Sequence, residues 1–288
     1  MEATGLRIIT YPKKDQEFKI YDIADIHWVN AGCAKDHFRA DVKQIRNEEN
    51  AIAAIVGDYC DWISPSDPRF DAEAVDESLS IRDLTRLSAK ISSGIVEEIR
   101  PIADKCLGLG MGNHEWQYMK RRNEMQVHEI ICQELGVPNL RYSSWMNLIF
   151  VHNPKSKGIT LRCSDTVPIR YERNLKIMTH HGKGAANTVG GKINSLRDLV
   201  EIAYDADIVM TGHLHEATVK PFVRLTTDFM VTKLKNKICF GMATGSYLRN
   251  YVPGITSWGE TRGFRLTTLG CISVNYSPKR HTINDIEL

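Results

Sequence analysis

The sequence has little excess of charge of one sign and no long hydrophobic run. Its 37 Lys and Arg residues nearly balance 35 Asp and Glu residues, for a formal net charge of +2. A global basic surface for nucleic acid or an anionic membrane is therefore excluded, and any basic site must be local. The apolar runs are far shorter than the ~18 to 20 residues that cross a bilayer, so we expect no membrane segment. The first residues also lack an apolar core behind a basic head, which favours a cytoplasmic location.

Cysteine pairs are missing as well. The seven cysteines are odd in number, widely scattered and never spaced as CxxC. This pattern favours reduced thiols packed in a core over a disulfide framework or a zinc ribbon. With 42% hydrophobic and 25% charged residues, the composition is typical of a globular protein and excludes a disordered, collagen-like or coiled-coil chain. We find no linker or internal repeat and predict a single domain over residues 1–288.

Alternating strand and helix patterns indicate an α/β fold. The segment from Phe18, FKIYDIADIHW, is apolar up to an abrupt Asp and His cluster, as expected of a buried strand. A helical stretch over 36–51 and a second apolar run over 51–61 follow, which is the order of a βαβ unit. Further predicted elements are helices over 81–105 and 124–136, strands over 106–112 and 207–216, and hairpins between 142 and 180. We therefore expect early strands in β-α-β order and later strands that are antiparallel.

Five of the apolar runs end in clusters of Asp, Asn and His. These clusters are Asp25-Ile26-His27, Gly57-Asp58-Tyr59-Cys60-Asp61, Gly112-Asn113-His114-Glu115, His180-His181-Gly182 and Gly212-His213-Leu214-His215. Because the carboxyl ends of strands in an α/β sheet form the ligand crevice, we expect the clusters to converge there. Imidazole and carboxylate are ligands of borderline divalent metals, and Asn is a neutral oxygen donor. The donors suffice for two ions ~3.5 to 4 Å apart, provided that one carboxylate bridges them.

The ordered motifs DxH, GDxxD, GNHE, H and GHxH resemble those of the calcineurin-like metallophosphoesterase superfamily, in its small prokaryotic and viral-type branch. The resemblance covers residues 25–215. It implies a four-layer α/β/β/α sandwich of two mixed sheets. It also implies two divalent metal ions. His and carboxylate donors without thiolate suit manganese, iron, zinc, nickel or cobalt, and of these we expect manganese.

The resemblance further implies a role for each motif residue. The implied ligands are, for the first ion, Asp25, His27 and His215, for both ions Asp58, and for the second ion Asn113, His213 and either His180 or His181. In the superfamily, branches with an HHP segment use the first histidine of this segment as the metal ligand, whereas branches with an HG segment use the histidine directly before the glycine. Both histidines therefore stay candidates.

The same resemblance places His114 beside the leaving oxygen of the substrate and Asp61 against the imidazole of His114. In the implied mechanism, a hydroxide that bridges the two ions attacks phosphorus in line, without a covalent intermediate. His114 would neutralise charge on the leaving oxygen or donate a proton to it. Asp61 would orient His114 and raise its basicity.

Departures from known branches narrow the substrate class. DIHW lacks the glycine of the phosphoprotein-phosphatase DxHG element, and GDYCDW lacks its DRG. The histidine of GNHE argues against the lipid-precursor pyrophosphatase branch, which has Arg at that place. We expect a phosphodiesterase or phosphatase that acts on a nucleotide or another small phosphoester. One alternative is a DNA nuclease of the Mre11/SbcD type, with nucleic acid as its partner, and another is a metal-binding scaffold without catalysis.

Two loops carry candidate substrate-binding residues. The Gly-rich loop 182–192 opens a helix and would place Lys192 near an anion, unless the loop is only a flexible connection. The loop 245–263 interleaves aromatic and basic residues, Arg249 and Tyr251 among them, as a base-stacking surface does. The alternative for this second loop is a packed hydrophobic cap. No pattern in the sequence specifies an oligomeric state.

Overall fold

The computed structural model describes residues 1–184, 186–227 and 230–287. In these residues the strands are β1 (Glu2–Tyr11), β2 (Phe18–Ile23), β3 (Ala51–Val56), β4 (Cys106–Gly110), β5 (Asn139–Arg141), β6 (Ser143–His152), β7 (Thr160–Ser164), β8 (Arg173–His180), β9 (Ile208–Thr211), β10 (Thr218–Thr227), β11 (Leu234–Ala243), β12 (Ile272–Ser277) and β13 (Thr282–Glu287). The helices are α1 (Lys35–Asn47), α2 (Ile81–Thr85), α3 (Leu87–Ile99), α4 (Asn113–Arg122), α5 (Gln126–Leu135), α6 (Val189–Ile202) and α7 (Trp258–Thr261), with 3-10 helices at Ala72–Ala74 and Arg100–Lys105.

The strands form two mixed sheets. One has seven strands in the order β10-β11-β9-β8-β6-β1-β7, and the other has six in the order β13-β12-β2-β3-β4-β5. Strands β2 to β5 run parallel, as the βαβ pattern predicts. The antiparallel order expected of the later strands is wrong for β8, β9 and β11, which are parallel neighbours. The reason is that α6 crosses over between β8 and β9, so that both strands run in the same direction.

A period-two alternation inside the buried strands separates two cores. In β2, Phe18 and Ile20 belong to the core between the sheets, whereas Tyr21 and Ile23 belong to the core under the helices. Helices α1, α3 and α5 cover the outer face of the six-stranded sheet, and α6 covers the outer face of the seven-stranded sheet. Each buried aliphatic side chain stabilises the fold by about 1.5 to 3 kcal/mol. The four α/β/β/α layers implied by the sequence motifs are thereby confirmed.

The structure also tests the predictions about helix ends, cysteines and membrane segments. Helix α5 ends at Leu135 and is followed, as predicted, by Gly136, whose φ of 69° is the left-handed conformation that closes helices. The predicted helix over 81–105 is divided into α2, α3 and a 3-10 helix. The backbone of Arg86 leaves the helical conformation between α2 and α3, and the 3-10 helix follows α3 where Pro101 has no N–H to continue the α-helical ladder. All seven cysteines are free, and five of them are buried. Within the described ranges, the helices are too short or too polar to cross a membrane.

Candidate metal centre

Five strand-to-loop junctions meet at one end of the two sheets. In the six-stranded sheet, the parallel strands β2, β3 and β4 end shortly before Asp25, Asp58 and Asn113. In the seven-stranded sheet, the parallel strands β8 and β9 end shortly before His181 and His213. The polar clusters of the sequence therefore lie together at the carboxyl ends of the strands, where ligands bind in α/β folds.

Non-glycine residues with a left-handed backbone mark these junctions. The φ angle is 55° at Asp25, 51° at His27, 46° at Asp58, 66° at His213 and 47° at His215. This conformation is uncommon for residues with a side chain and costs on the order of 1 to 3 kcal/mol each. Such strain persists only where the surrounding structure fixes it, and it is typical of functional sites.

Two glycines allow the junctions to approach one another. A Cβ atom on Gly112 would lie 2.1 Å from Asp58 Oδ1, and a Cβ atom on Gly212 would lie 2.7 Å from Asp25 Oδ2. Both distances are shorter than van der Waals contact, so a side chain at either position would displace a carboxylate. Glycine is therefore required at these positions of the third and fifth motifs.

Asp25, His27 and His215 form the first cluster of donors. Asp25 Oδ1 lies 3.3 Å from His215 Nε2 and 4.0 Å from His27 Nε2. The other carboxylate oxygen, Oδ2, accepts a hydrogen bond from His213 N at 2.6 Å, which holds the side chain in place. Asp25 Oδ1 and His27 Nε2 are buried and have no hydrogen-bond partner within the described residues. Unpartnered buried polar atoms that face one another are the arrangement expected around a cation.

Asp58, Asn113, His181 and His213 form the second cluster. His181 Nε2 lies 3.1 Å from Asp58 Oδ2 and 3.2 Å from Asn113 Oδ1. Donor atoms of Asp58, His181 and His213 lie within 4.8 Å of one another. Asp58 Oδ1 accepts a hydrogen bond from His114 N at 2.9 Å, so the first turn of α4 also stabilises the carboxylate.

Backbone carbonyls fix the two histidines of the second cluster. His181 Nδ1 lies 2.9 Å from Val56 O, and His213 Nε2 lies 2.8 Å from Gly184 O. A carbonyl only accepts, so each of these nitrogens donates a hydrogen, and the lone pair of the neutral ring is on the other nitrogen. A hydrogen bond of this kind is typical of histidines that bind a metal ion.

The carboxylates of both clusters are buried and anionic. Burial acts to raise the pKa of Asp58, but the neighbouring positive charge, that of His181 first, outweighs it and holds the pKa well below its ordinary value. The pKa of Asp25 is lowered against burial in the same way, chiefly by His215. Bound cations would supply this positive charge in place of protonated histidines. The donor set of imidazole, carboxylate and amide groups without thiolate therefore fits borderline divalent metal ions.

Asp61 connects the first cluster with His114. Its Oδ1 atom lies 3.6 Å from His27 Nδ1 and 2.5 Å from His114 Nδ1, and its Oδ2 atom accepts a hydrogen bond from Asn30 Nδ2 at 2.6 Å. Burial acts to lower the pKa of His114, but the charges of Asp58 and Asp61 outweigh it and raise the pKa to about 9. The two carboxylates therefore favour the protonated form of His114, which is able to donate a proton.

Comparison with protein families decides the classification. The family model of the calcineurin-like phosphoesterases matches residues 18–217. The chain belongs to the calcineurin-like phosphoesterase family. Membership indicates a metal-dependent phosphoester hydrolase, and the two donor clusters agree with the divalent ions that the family implies.

Among solved structures, the phosphoesterase is similar to the NAD nucleotidase of Haemophilus influenzae, with a TM-score of 0.42 and 13% sequence identity. The alignment covers 95% of this chain and 50% of the nucleotidase chain, so the phosphoesterase spans half the length of that structure. Comparison with curated proteins gives no match.

Glu115, to which the sequence motifs assigned no role, connects the second motif of the phosphoesterase, GDxxD, with the third, GNHE, through hydrogen bonds. Its fully buried carboxylate accepts hydrogen bonds from Gly112 N at 2.7 Å, Asp58 N at 2.9 Å, Cys60 N at 3.1 Å and Trp62 Nε1 at 3.2 Å. The second and third motifs are thereby held in fixed register. The sequence contains one signal for this role, because Glu at the third position of a helix is the capping-box residue.

The structure distinguishes the two histidines at the end of β8. His181 lies in the second cluster, whereas His180 Nδ1 accepts a hydrogen bond from Gly182 N at 2.9 Å. Burial lowers the pKa of His180 to about 4, and its ring lies edge-on against Tyr142 with 5.4 Å between centroids. His180 therefore lies outside both donor clusters.

Lys192 lies at the rim of the site. Its Nζ atom donates a hydrogen bond to Glu216 Oε2 at 3.0 Å and lies 3.5 Å from His215 O. The charge of Lys192 is therefore partly balanced by Glu216, although it stands next to a ligand candidate.

Arg249 and Tyr251 have partners of their own. Arg249 Nη2 donates a hydrogen bond to Asp36 Oδ1 at 3.0 Å, on the first turn of α1. Tyr251 is exposed, and its hydroxyl donates a hydrogen bond to Phe264 O at 2.8 Å. These contacts are with neither donor cluster.

Proposed function

We propose that the protein hydrolyses phosphoester bonds with a pair of divalent metal ions, and that it acts as a phosphodiesterase or phosphatase on a nucleotide or another small phosphoester. The observation that supports the proposal is the position of two donor clusters at one end of the sandwich, one with Asp25, His27 and His215 and the other with Asp58, His181 and His213. Asp58 Oδ2 lies 3.1 Å from His181 Nε2 of the second cluster, and His27 N, in the first cluster, donates a hydrogen bond to Asp58 O at 3.0 Å.

The proposed ligands follow from the two clusters. They are Asp25, His27, His215 and Asp58 for the first ion, and Asp58, Asn113, His181 and His213 for the second. In this assignment, His181 and not His180 is the ligand from the histidine pair. When bound, the two ions would polarise the phosphoryl oxygens and activate a water for attack at neutral pH.

The residues around the ions position the reaction and move a proton. His114 Nδ1 faces Asp61, so the proton that His114 donates to the leaving oxygen is the one on Nε2. Asp61 holds the imidazole in this orientation and favours its protonated form. Glu115 holds the backbone of Asp58, which keeps the shared carboxylate in place.

A small substrate agrees with the charge of the chain. A net charge of +2 provides no broad basic surface for a nucleic-acid backbone. Nucleic-acid binding that depends on phosphate contacts falls steeply with salt, whereas a small ester held by the ions and a few side chains responds weakly. Salt dependence therefore separates this proposal from a DNA nuclease.

The test is hydrolysis by metal-stripped protein to which manganese, nickel or zinc is returned. The substrates are bis-p-nitrophenyl phosphate, p-nitrophenyl phosphate and single-stranded DNA. We expect metal to restore hydrolysis of at least one p-nitrophenyl ester with little dependence on salt. Cleavage of DNA in preference to both esters, lost steeply as salt rises, would replace the proposal by the nuclease alternative. Bound metal with no hydrolysis of any substrate would contradict the proposal and favour a scaffold.

A further inference from the structure

Two arginines share one buried carboxylate in the loop that follows the second motif. Asp67 accepts hydrogen bonds from Arg69 N at 2.9 Å, Arg69 Nε at 3.1 Å and Arg69 Nη2 at 3.0 Å. Arg121 Nη1 contacts the same carboxylate. The Asp67 side chain is 3% exposed, whereas the side chains of Arg69 and Arg121 are 33% and 46% exposed. The buried anion therefore holds two guanidinium groups whose outer faces are open to solvent.

We call Arg69 and Arg121 the arginine pair, and Arg121 lies on α4, the helix that also carries His114. Arg121 follows His114 by seven residues, which is close to two helical turns, so both lie on the same side of α4, about 10 Å apart along its axis.

The loop that carries Arg69 is packed against the same helix. Trp62 Nε1 donates a hydrogen bond to Glu115 in the first turn of α4, and the Trp62 ring lies 5.0 Å from the Tyr118 ring. Asp67 then contacts Arg121 in the last turn. The loop therefore follows α4 from the metal centre outward, and its packing places the arginine pair in a fixed position.

The arginine pair has charge and donors beyond those that Asp67 uses. One carboxylate balances only one of two guanidinium groups, so the group of three carries one net positive charge. Arg69 uses Nε and Nη2 for Asp67, which leaves its Nη1 group without a hydrogen bond among the described contacts. A guanidinium presents five N–H donors in a planar fork that matches phosphate oxygens.

We propose that the arginine pair binds a second anionic group of the substrate, on the leaving-group side of His114. The preferred substrate class is then a phosphoester whose leaving group carries another phosphate, as in a nucleoside bisphosphate. This inference rests on the proposed function, because that function assigns His114 to the leaving oxygen. Lys120 and Arg122 on α4 add positive charge on the same segment, which favours an anion there.

The test compares adenosine 3′,5′-bisphosphate with adenosine 3′-monophosphate, which differ by one phosphate. Each is measured as a competitor of p-nitrophenyl ester hydrolysis by the metal-loaded protein. We expect the bisphosphate to bind at least about tenfold more tightly, as charge-assisted hydrogen bonds allow. Arg69→Gln and Arg121→Gln should each reduce this ratio, and the double variant should bring it near one. Thermal unfolding of each variant checks that the fold is retained.

Arg280→Gln is the matched control, because Arg280 forms an exposed ion pair with Glu17 at the opposite end of the six-stranded sheet. It should keep the wild-type ratio. A wild-type ratio near one, a ratio that survives the double variant, or an equal loss in Arg280→Gln would each overturn the inference. If no ester is hydrolysed, the proposed function fails, and the same ratio is then measured by calorimetry, so the two failures are distinguished.

Discussion

The two sheets contribute different chemistry to the same site. The six-stranded sheet supplies every carboxylate of the centre, at the ends of β2 and β3, together with the imidazoles of His27 and His114 and the amide of Asn113. The seven-stranded sheet supplies only histidines, at the ends of β8 and β9. Negative charge therefore comes from one sheet only, whereas uncharged donors come from both.

This difference shows that neither sheet holds a complete set of ligands. Hydrogen bonds join the sheets close to the centre, because Asp25 Oδ2 accepts from His213 N at 2.6 Å and Asp22 Oδ2 accepts from Thr211 N at 3.2 Å. The clusters exist only when the sandwich is assembled. Binding of metal ions should therefore stabilise the folded chain, since the unfolded chain has no preformed site.

Removal of the shared negative charge should have the largest effect. Asp58→Asn keeps the shape of the side chain but removes the anion that we propose both ions share, so hydrolysis of the p-nitrophenyl ester should fall by about 10²- to 10³-fold or more. Steady-state kinetics with metal in excess measures the loss. Asp205→Asn is the control, because Asp205 is exposed and pairs with Lys176 and Lys237. Equal rates in Asp58→Asn and the wild type would refute the shared role of Asp58.

The histidine contribution of the seven-stranded sheet can be tested with two adjacent residues. His181→Gln should weaken metal binding and reduce hydrolysis by at least about 10- to 100-fold, because it removes a donor from the second cluster. His180→Gln is its matched control and should change hydrolysis by no more than about twofold. Metal titration followed by activity gives both values. The reverse ranking would assign the ligand to His180.

A smaller effect is expected at Asp61, which touches His27 and His114 but belongs to neither proposed ligand set. Asp61→Asn should lower kcat/KM by about 10- to 100-fold. The reason is that it removes the negative charge that orients the imidazole of His114 and favours its protonated form. The number of bound ions should stay as in the wild type. Loss of an ion in this variant would show that Asp61 acts as a ligand and not through His114.

The site residues that lie in short motifs at strand ends could be predicted from the sequence. The turns at Asp25, Asp58 and Asn113 follow apolar strands directly, so their convergence can be predicted from strand polarity alone. The choice between His180 and His181 could not be predicted, because neighbouring residues at a strand end point in different directions and only the register decides. That register is set by His181 N, which donates to Tyr142 O at 3.1 Å on a distant segment.

The pairing of strands that are distant in the chain could not be predicted from the sequence either. Strand β7 pairs with β1 and with neither β6 nor β8, so the hairpins expected between 142 and 180 are wrong, although β6 and β8 are antiparallel neighbours. The basic residue Arg249 and the aromatic residue Tyr251 could be recognised in the loop from the sequence. Their hydrogen-bond partners, Asp36 and Phe264 O, depend on tertiary packing and could not. Arg69 stands in a stretch without periodicity, and only the fold brings it beside α4.

The most direct test of the two-cluster centre is the number of metal ions per chain. Protein that has been stripped, reloaded with manganese and freed of excess metal is measured by inductively coupled plasma mass spectrometry. We predict two ions per chain in the wild type and a lower content in His181→Gln, with the full content retained in His180→Gln. One ion or none in a wild-type chain that is folded and hydrolyses the ester would contradict a centre in which each of the two clusters holds an ion.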